Sequence, residues 1–215
     1  RIDNSKFANV VDRYPLTDAQ NKAYDEIISN FQQKDVVLLH GVTSCGKTEI
    51  YIKLIDEAIA SGKQALFLLP EIALTTQLTT RLRRVFGEQL GIYHSKFSDN
   101  ERVEVWQNML SPEKEYKVIL GVRSSIFLPF RNLGIVIVDE EHENTYKQYD
   151  PAPRYHARNA AIVLAKIHNA KVLLGSATPS IESYYLATQT KKYGFVELLT
   201  RCADIQLPEI NVVDV

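Results

Sequence analysis

Two short segments carry the residue types that nucleotide chemistry needs. Gly41-Val42-Thr43-Ser44-Cys45-Gly46-Lys47-Thr48 fits the pattern GxxxxGK[ST]. In a loop of that kind backbone N–H groups wrap a phosphate, and the helix that follows adds the partial positive charge of its N-terminus. Lys47 then reaches the β and γ phosphates, and the Thr48 hydroxyl is a ligand for Mg2+. The second segment, Asp139-Glu140-Glu141-His142, follows the apolar run Ile135-Val136-Ile137-Val138. A buried strand ending in two carboxylates delivers them to the edge where doubly wound sheets bind ligands. Asp139 would hold Mg2+ directly or through water, and Glu140 would orient and deprotonate an attacking water. Alone, each segment has a plainer reading, as a glycine turn feeding a helix or as a solvated loop start. Together they point to hydrolysis of a nucleoside triphosphate, since storage of a nucleotide needs no water-activating Glu.

The surrounding chain supplies elements that would position both segments. Short apolar runs at 36–39, 65–69, 92–93, 117–120, 135–138 and 171–174 alternate with amphipathic stretches. The helical stretches fall near 18–32, 47–60, 75–86, 99–110, 156–168 and 179–188. Strands buried on both faces read as continuous Val, Ile and Leu rather than as alternation. The pattern therefore predicts an α/β fold, a doubly wound and mostly parallel sheet with helices on both faces. Residues 1–14 read as a polar lead-in arm and 15–200 as the folded domain. Two further apolar runs, 195–199 and 210–215, follow Lys191-Lys192, and the chain stops on the second. An N-terminus without Met and an apolar end suggest a segment cut from a longer protein.

Composition narrows the function classes. With 45% hydrophobic and 24% charged residues in 215, the chain matches one soluble globular domain, which excludes a disordered tail, a collagenous repeat and a disulfide mini-protein. Its apolar runs fall far short of the roughly 20 residues that span a bilayer. A net charge of -1 offers no global positive field, so any nucleic-acid contact must rest on local groups. Cys45 and Cys202, far apart in sequence, fit a reducing, cytoplasmic setting and are too few for a four-thiolate zinc site.

The phosphate loop and Asp139-Glu140-Glu141-His142 occur together with Pro70-Glu71-Ile72-Ala73-Leu74-Thr75, Gly121-Val122-Arg123-Ser124 and Gly175-Ser176-Ala177-Thr178-Pro179, in the order that helicase motifs take. The chain resembles the superfamily 2 DNA helicases, and within them the replication-restart branch. In that branch Asp-Glu-Glu-His is followed by Tyr-Lys-Gln and Arg-Tyr-His-Ala-Arg, matched here by Tyr146-Lys147-Gln148 and by Arg154-Tyr155-His156-Ala157-Arg158. The resemblance implies a RecA-like first motor lobe that uses ATP and Mg2+ to unwind forked or single-stranded DNA in replication restart and primosome assembly. It also implies partnership with a single-stranded DNA-binding protein and other primosome proteins. By the same resemblance 201–215 would begin the connection to a second lobe, which supplies an arginine finger, and zinc would belong to a module outside this segment. The lobe by itself is then expected to be monomeric, to bind nucleotide weakly and to unwind nothing.

The resemblance assigns further residues, each with a plainer alternative. Gln20 in Leu16-Thr17-Asp18-Ala19-Gln20 would read adenine, yet it is also the third residue of a helix-capping box. Ser176 and Thr178 would link phosphate state to lobe closure, although Ser-Ala-Thr-Pro is also an ordinary way into a helix. His142 would connect the ATP side to the DNA side. Thr75, Thr76, Arg123 and Ser124 would contact the DNA backbone, for which hydroxyl and guanidinium groups at strand ends are suited. Residues 144–158 pack Tyr146, Tyr149 and Tyr155 among Lys147, Arg154 and Arg158, the mixture of aromatic faces and cations expected of a single-strand contact. A loop whose tyrosines pack on their own domain is the alternative. Arg81, Arg83 and Arg84 read as a solvated helix face. Ser44-Cys45 stands where the family commonly has Gly-Ser, and Cys45 at a helix N-terminus is expected to be a reactive thiolate that ATP shields. A double-stranded DNA translocase and a non-catalytic binding module remain as other classes.

Overall fold

The computed structural model describes residues 13–94, 97–111 and 116–200. The expected connection at 201–215, with Cys202 and the apolar run 210–215, lies outside the described residues, as do residues 1–12 of the lead-in arm. The elements run α1 (Asp18–Phe31), β1 (Val36–Gly41), α2 (Lys47–Ala60), β2 (Gln64–Leu68), α3 (Thr76–Phe86), β3 (Leu90–Tyr93) and α4 (Asp99–Leu110). They continue with β4 (Val118–Gly121), β5 (Leu133–Asp139), α5 (Ala157–Ile167), β6 (Lys171–Ser176), α6 (Ile181–Thr188) and β7 (Gly194–Leu198).

Local chemistry sets the helix starts. The Thr17 hydroxyl accepts from the Gln20 N–H at 3.3 Å, while Gln20 Oε1 accepts from the Thr17 N–H at 2.9 Å, so α1 opens on a complete capping box. Ser98 and Glu101 repeat the device at α4. The α6 helix starts at Ile181, later than the run 179–188 suggests, because Ser180 is its N-cap and its hydroxyl accepts from the Ser183 N–H; Pro179 precedes the cap.

All described strands pair in parallel, in the order β3-β4-β2-β5-β6-β1-β7. Successive side chains point to opposite faces. Val37, Leu39 and Phe67 enter one core layer with α1, α2 and α3, whereas Val36, Leu38, Leu66 and Leu68 enter a second layer with α4, α5 and α6. Burial on both faces is the reason these strands lack alternation. Fully buried Leu38 and Leu39 each contribute on the order of 2 kcal/mol through removal of apolar surface from water.

Register carries this architecture to the site. Leu39 pairs with Gly175, and Gly175 pairs with Asp139, so three adjacent strands end level with one another. The phosphate-loop segment, the carboxylates and Ser176 thus meet at one sheet edge. Among the described residues no helix is long and apolar enough to cross a membrane.

Candidate active site

The segment 41–48 turns from β1 into α2 through two residues in the left-handed region. Gly46, the N-cap of α2, has φ 77°, and Ser44 has φ 63°. Glycine meets such a φ without strain, and Ser44 occupies the position at which the family more often places it. Gly46 brings no side-chain cap, which leaves the first N–H groups of α2 aimed into the loop. The Lys47 ammonium, at 10% side-chain exposure, donates to the Gly41 carbonyl at 2.9 Å and lies 3.9 Å from Glu140 Oε1. Cys45 corrects an expectation: its side chain is buried in the core layer under the loop, so it is not an exposed thiolate at the helix N-terminus.

Asp139 is held from two sides. Its Oδ1 accepts from the Tyr51 hydroxyl at 2.8 Å, and its main-chain carbonyl accepts from the Tyr146 hydroxyl at 2.6 Å. Burial, and next the neighbouring Glu140, push the Asp139 carboxyl up to about 6. Glu140 itself has φ 46°, an uncommon conformation for a residue with a side chain, of the kind that gathers at functional sites. A cation between these groups would relieve the repulsion that raises Asp139. The Thr48 hydroxyl and the two carboxylates are hard oxygen donors, and Mg2+ takes one or two such ligands together with phosphate and water. The residues fit that ion.

His142 bridges the carboxylates to the end of β6. One ring nitrogen, Nδ1, lies 2.7 Å from Ser176 Oγ and 3.7 Å from Glu140 Oε2, while Nε2 lies 3.3 Å from Thr178 Oγ1. Ser176 Oγ in turn accepts from the Thr178 N–H at 3.0 Å. His142, Ser176 and Thr178 are therefore one polar cluster beside Glu140.

Gln20 is buried and spent on the loop. Its Oε1 belongs to the capping box, and its Nε2 donates to the Cys45 carbonyl at 3.0 Å and the Gly46 carbonyl at 3.4 Å. The capping reading describes this arrangement, and an adenine edge would meet the same amide at the base of the loop. Gln20 ties α1 to the phosphate loop.

The segment 144–158 folds back on itself. The Gln148 N–H donates to the Tyr155 carbonyl at 2.9 Å, the Lys147 ammonium to the Arg154 carbonyl at 3.0 Å, and the Arg154 guanidinium to the Tyr149 carbonyl at 2.9 Å. Its tyrosines divide. Tyr149 is 68% exposed, Tyr155 is half-buried with its ring edge-on to Phe127, and Tyr146 is 1% exposed beneath the loop. Two assignments to the DNA surface are thereby corrected. Tyr146 bolts the ends of β2 and β5 through the Leu68 and Asp139 carbonyls, leaving no face for a base. Arg158 is buried and pairs with the fully buried Glu141 at 2.7 Å, so it does not track phosphates. Thr75 is exposed but caps α3 through the Leu78 N–H; Arg123 and Ser124 stand half-buried in a short 3₁₀ turn after β4, with Arg123 donating to the Thr145 carbonyl. Arg81 is not merely solvated, since it pairs with Glu49 on α2.

Two functional groupings escape sequence reasoning. Glu141 accepts from Arg158, the Ser180 N–H and hydroxyl, and the Ser183 hydroxyl, anchoring the carboxylate loop to α5 and α6. Nothing in the string of residues separates it from a solvated acid. Tyr51 was legible in principle, because it lies four residues after Lys47 and so on the same face of α2.

The DEAD/DEAH box helicase family matches residues 17–186, and the chain belongs to that family. It is similar to the replication restart protein PriA of Bacillus subtilis, with 45% identity over 202 residues that cover 93% of this chain and 25% of the relative. PriA of Chlamydia pneumoniae is 41% identical over 197 residues, covering 91% and 26% respectively. The chain thus spans about a quarter of the length of these curated relatives. Among solved structures, RecG bound to a three-way DNA junction superposes with a TM-score of 0.63 at 20% identity, over 90% of this chain and 25% of that one. The Mycobacterium smegmatis helicase Lhr, bound to single-stranded DNA and AMP-PNP, gives 0.57 at 19% identity, over 86% and 26%. The expected RecA-like fold is the one these helicases share.

Proposed function

We propose that this chain is the first motor lobe of a DNA helicase that couples ATP hydrolysis to unwinding in replication restart. The observation that carries the reading is the placement of the Lys47 ammonium 3.9 Å from Glu140, with Asp139 beside it at the end of β5. A phosphate loop facing a carboxylate pair is the arrangement that hydrolysis demands. In that reading the loop N–H groups and Lys47 grip the β and γ phosphates, and the ammonium leaves the Gly41 carbonyl to do so. Glu140 orients the attacking water and takes its proton. Mg2+, held by Thr48 and Asp139, would supply charge neutralisation on the phosphates. His142 passes the state of Glu140 to Ser176 and Thr178, the cluster that faces lobe closure.

Single-stranded or forked DNA is the proposed partner. Tyr149 offers an exposed stacking face, and Arg154, Lys147, Thr75, Arg123 and Ser124 offer donors to the backbone. Similarity to PriA supports a role in replication restart, with a single-stranded DNA-binding protein and other primosome proteins as partners. A second lobe would complete the ATP site with an arginine, a group worth roughly 10³ to 10⁵ in rate in related enzymes. The lobe alone is then a weak nucleotide binder.

Calorimetric titration of ADP with and without Mg2+, repeated on Lys47→Ala, tests the loop. Mg2+-dependent binding that Lys47→Ala abolishes is expected; equal binding by both proteins overturns the reading. A forked-substrate assay on the full-length protein then separates a helicase, which releases a strand, from a double-stranded translocase, which does not.

A further inference from the structure

We propose that Tyr51 is a positioning residue for Asp139, its hydroxyl fixing the carboxylate in the orientation that receives Mg2+. This rests on the reading that Asp139 carries the ion. Tyr51 is fully buried, and its ring packs edge-on against Phe67 at 5.4 Å between centroids. Packing alone would be served by phenylalanine. The hydroxyl nonetheless reaches Asp139 Oδ1 at 2.8 Å, and it does so over Gly175. A Cβ added at Gly175 would collide with the Tyr51 hydroxyl oxygen, so the absence of a side chain on β6 is what admits the contact.

The consequence is a mechanical link inside the site. Lys47 and Thr48 open α2, and Tyr51 lies within the next turn of the same helix. The helix that grips phosphate therefore also sets one oxygen of the carboxylate on β5, a carboxylate that accepts from the Glu140 N–H as well. Partners that orient a metal-binding carboxylate in this way typically govern metal affinity by 10- to 100-fold.

The test uses the full-length protein and titrates Mg2+ against ADP binding and against ATP hydrolysis, for wild type, Tyr51→Phe, Gly175→Ala and Asp139→Asn. For Tyr51→Phe the Mg2+ midpoint is expected to rise about tenfold, ADP affinity in EDTA to stay unchanged, and kcat at saturating Mg2+ to recover to near wild type. Gly175→Ala, which displaces the hydroxyl from the other side, should give the same shift. An unchanged midpoint in Tyr51→Phe overturns the inference. So does a loss of kcat that Mg2+ does not restore together with a lower Tm, which marks a structural role. If Asp139→Asn loses Mg2+ dependence while Tyr51→Phe keeps the wild-type midpoint, the inference alone fails. If wild-type ADP binding is indifferent to Mg2+, the reading of Asp139 falls with it.

Discussion

The Tyr146 hydroxyl donates to the Asp139 carbonyl at 2.6 Å and to the Leu68 carbonyl at 3.2 Å, so an aromatic residue of the loop at 144–158 is a structural part of the carboxylate site. Any displacement of the loop backbone near Tyr146 is transmitted to the main chain of Asp139. In the proposed helicase reading, coupling between DNA and hydrolysis passes through this buried contact, with the exposed Tyr149 as the candidate for the strand.

The two tyrosines should therefore separate on mutation. Tyr146→Phe removes the hydroxyl's hydrogen bonding to the Asp139 and Leu68 carbonyls and is expected to cost about 0.5–1.5 kcal/mol of stability, read by urea denaturation. Tyr149→Ala removes an exposed ring and should change stability by less than about 0.5 kcal/mol. In the full-length protein it should weaken single-stranded DNA binding by about 1–3 kcal/mol, the worth of one stacked base. Equal DNA affinities for wild type and Tyr149→Ala would remove the loop from the DNA surface.

Glu141 and Arg158 form a buried ion pair, and such pairs respond asymmetrically to mutation. Glu141→Ala strands the Arg158 guanidinium among Ser180, Ser183 and apolar neighbours and should cost about 3–5 kcal/mol. Replacing both partners by apolar residues, Glu141→Leu with Arg158→Met, should cost less than Glu141→Leu alone, since only the serine donors then lose their acceptor. A double-mutant cycle in urea measures the coupling, and additive single effects would contradict the pairing.

The sheet was legible because both its faces are buried: runs such as Leu38-Leu39 and Val136-Ile137 announce strands whatever their partners. The loop and the Asp139-Glu140 pair were legible because hydrolysis fixes residue types at fixed spacing. Burial of loop residues was not. Tyr146 and Tyr149 stand three positions apart in one polar segment, and only the fold decides that one faces Leu68 and the other solvent. Glu141 hides the same way directly after two acids, Asp139 and Glu140, that do reach the site. Gln20 had two readings that local physics could not rank, and the three-dimensional path of the loop assigns its amide to the carbonyls of Cys45 and Gly46.

Ser44 holds φ 63°, a conformation that costs a residue with a Cβ roughly 1–2 kcal/mol. Ser44→Gly removes that strain but frees the unfolded chain, so stability should move by about 1 kcal/mol or less. Ser44→Val, β-branched at a left-handed position, should be clearly destabilising and should weaken ADP binding through the distorted loop. Thermal denaturation with and without Mg2+-ADP distinguishes the three proteins. Equal Tm for Val and Gly at this position would show that the loop relaxes to another conformation at no cost.

Asp139 contributes a pH response of its own. Its carboxyl sits at about 6, above the ordinary value of 3.8, because burial and Glu140 disfavour the charge. Between those two values the folded chain holds a proton that the unfolded chain has released. Stability contributed by this group therefore falls as pH rises from about 4 to about 6, and it stays lost above. A shift of about two units sets an upper bound near 3 kcal/mol. Asp139→Asn cannot ionise, so without nucleotide it should be more stable than wild type at pH 7 and lose most of that advantage by pH 4.5. Mg2+-ADP should reverse the order at pH 7, because cation binding draws on the charged carboxylate that the empty fold resists. Tm measured from pH 4.5 to 8 for both proteins checks this, and parallel profiles would mean that Asp139 titrates like an exposed carboxylate and carries no strained charge for the ion to relieve.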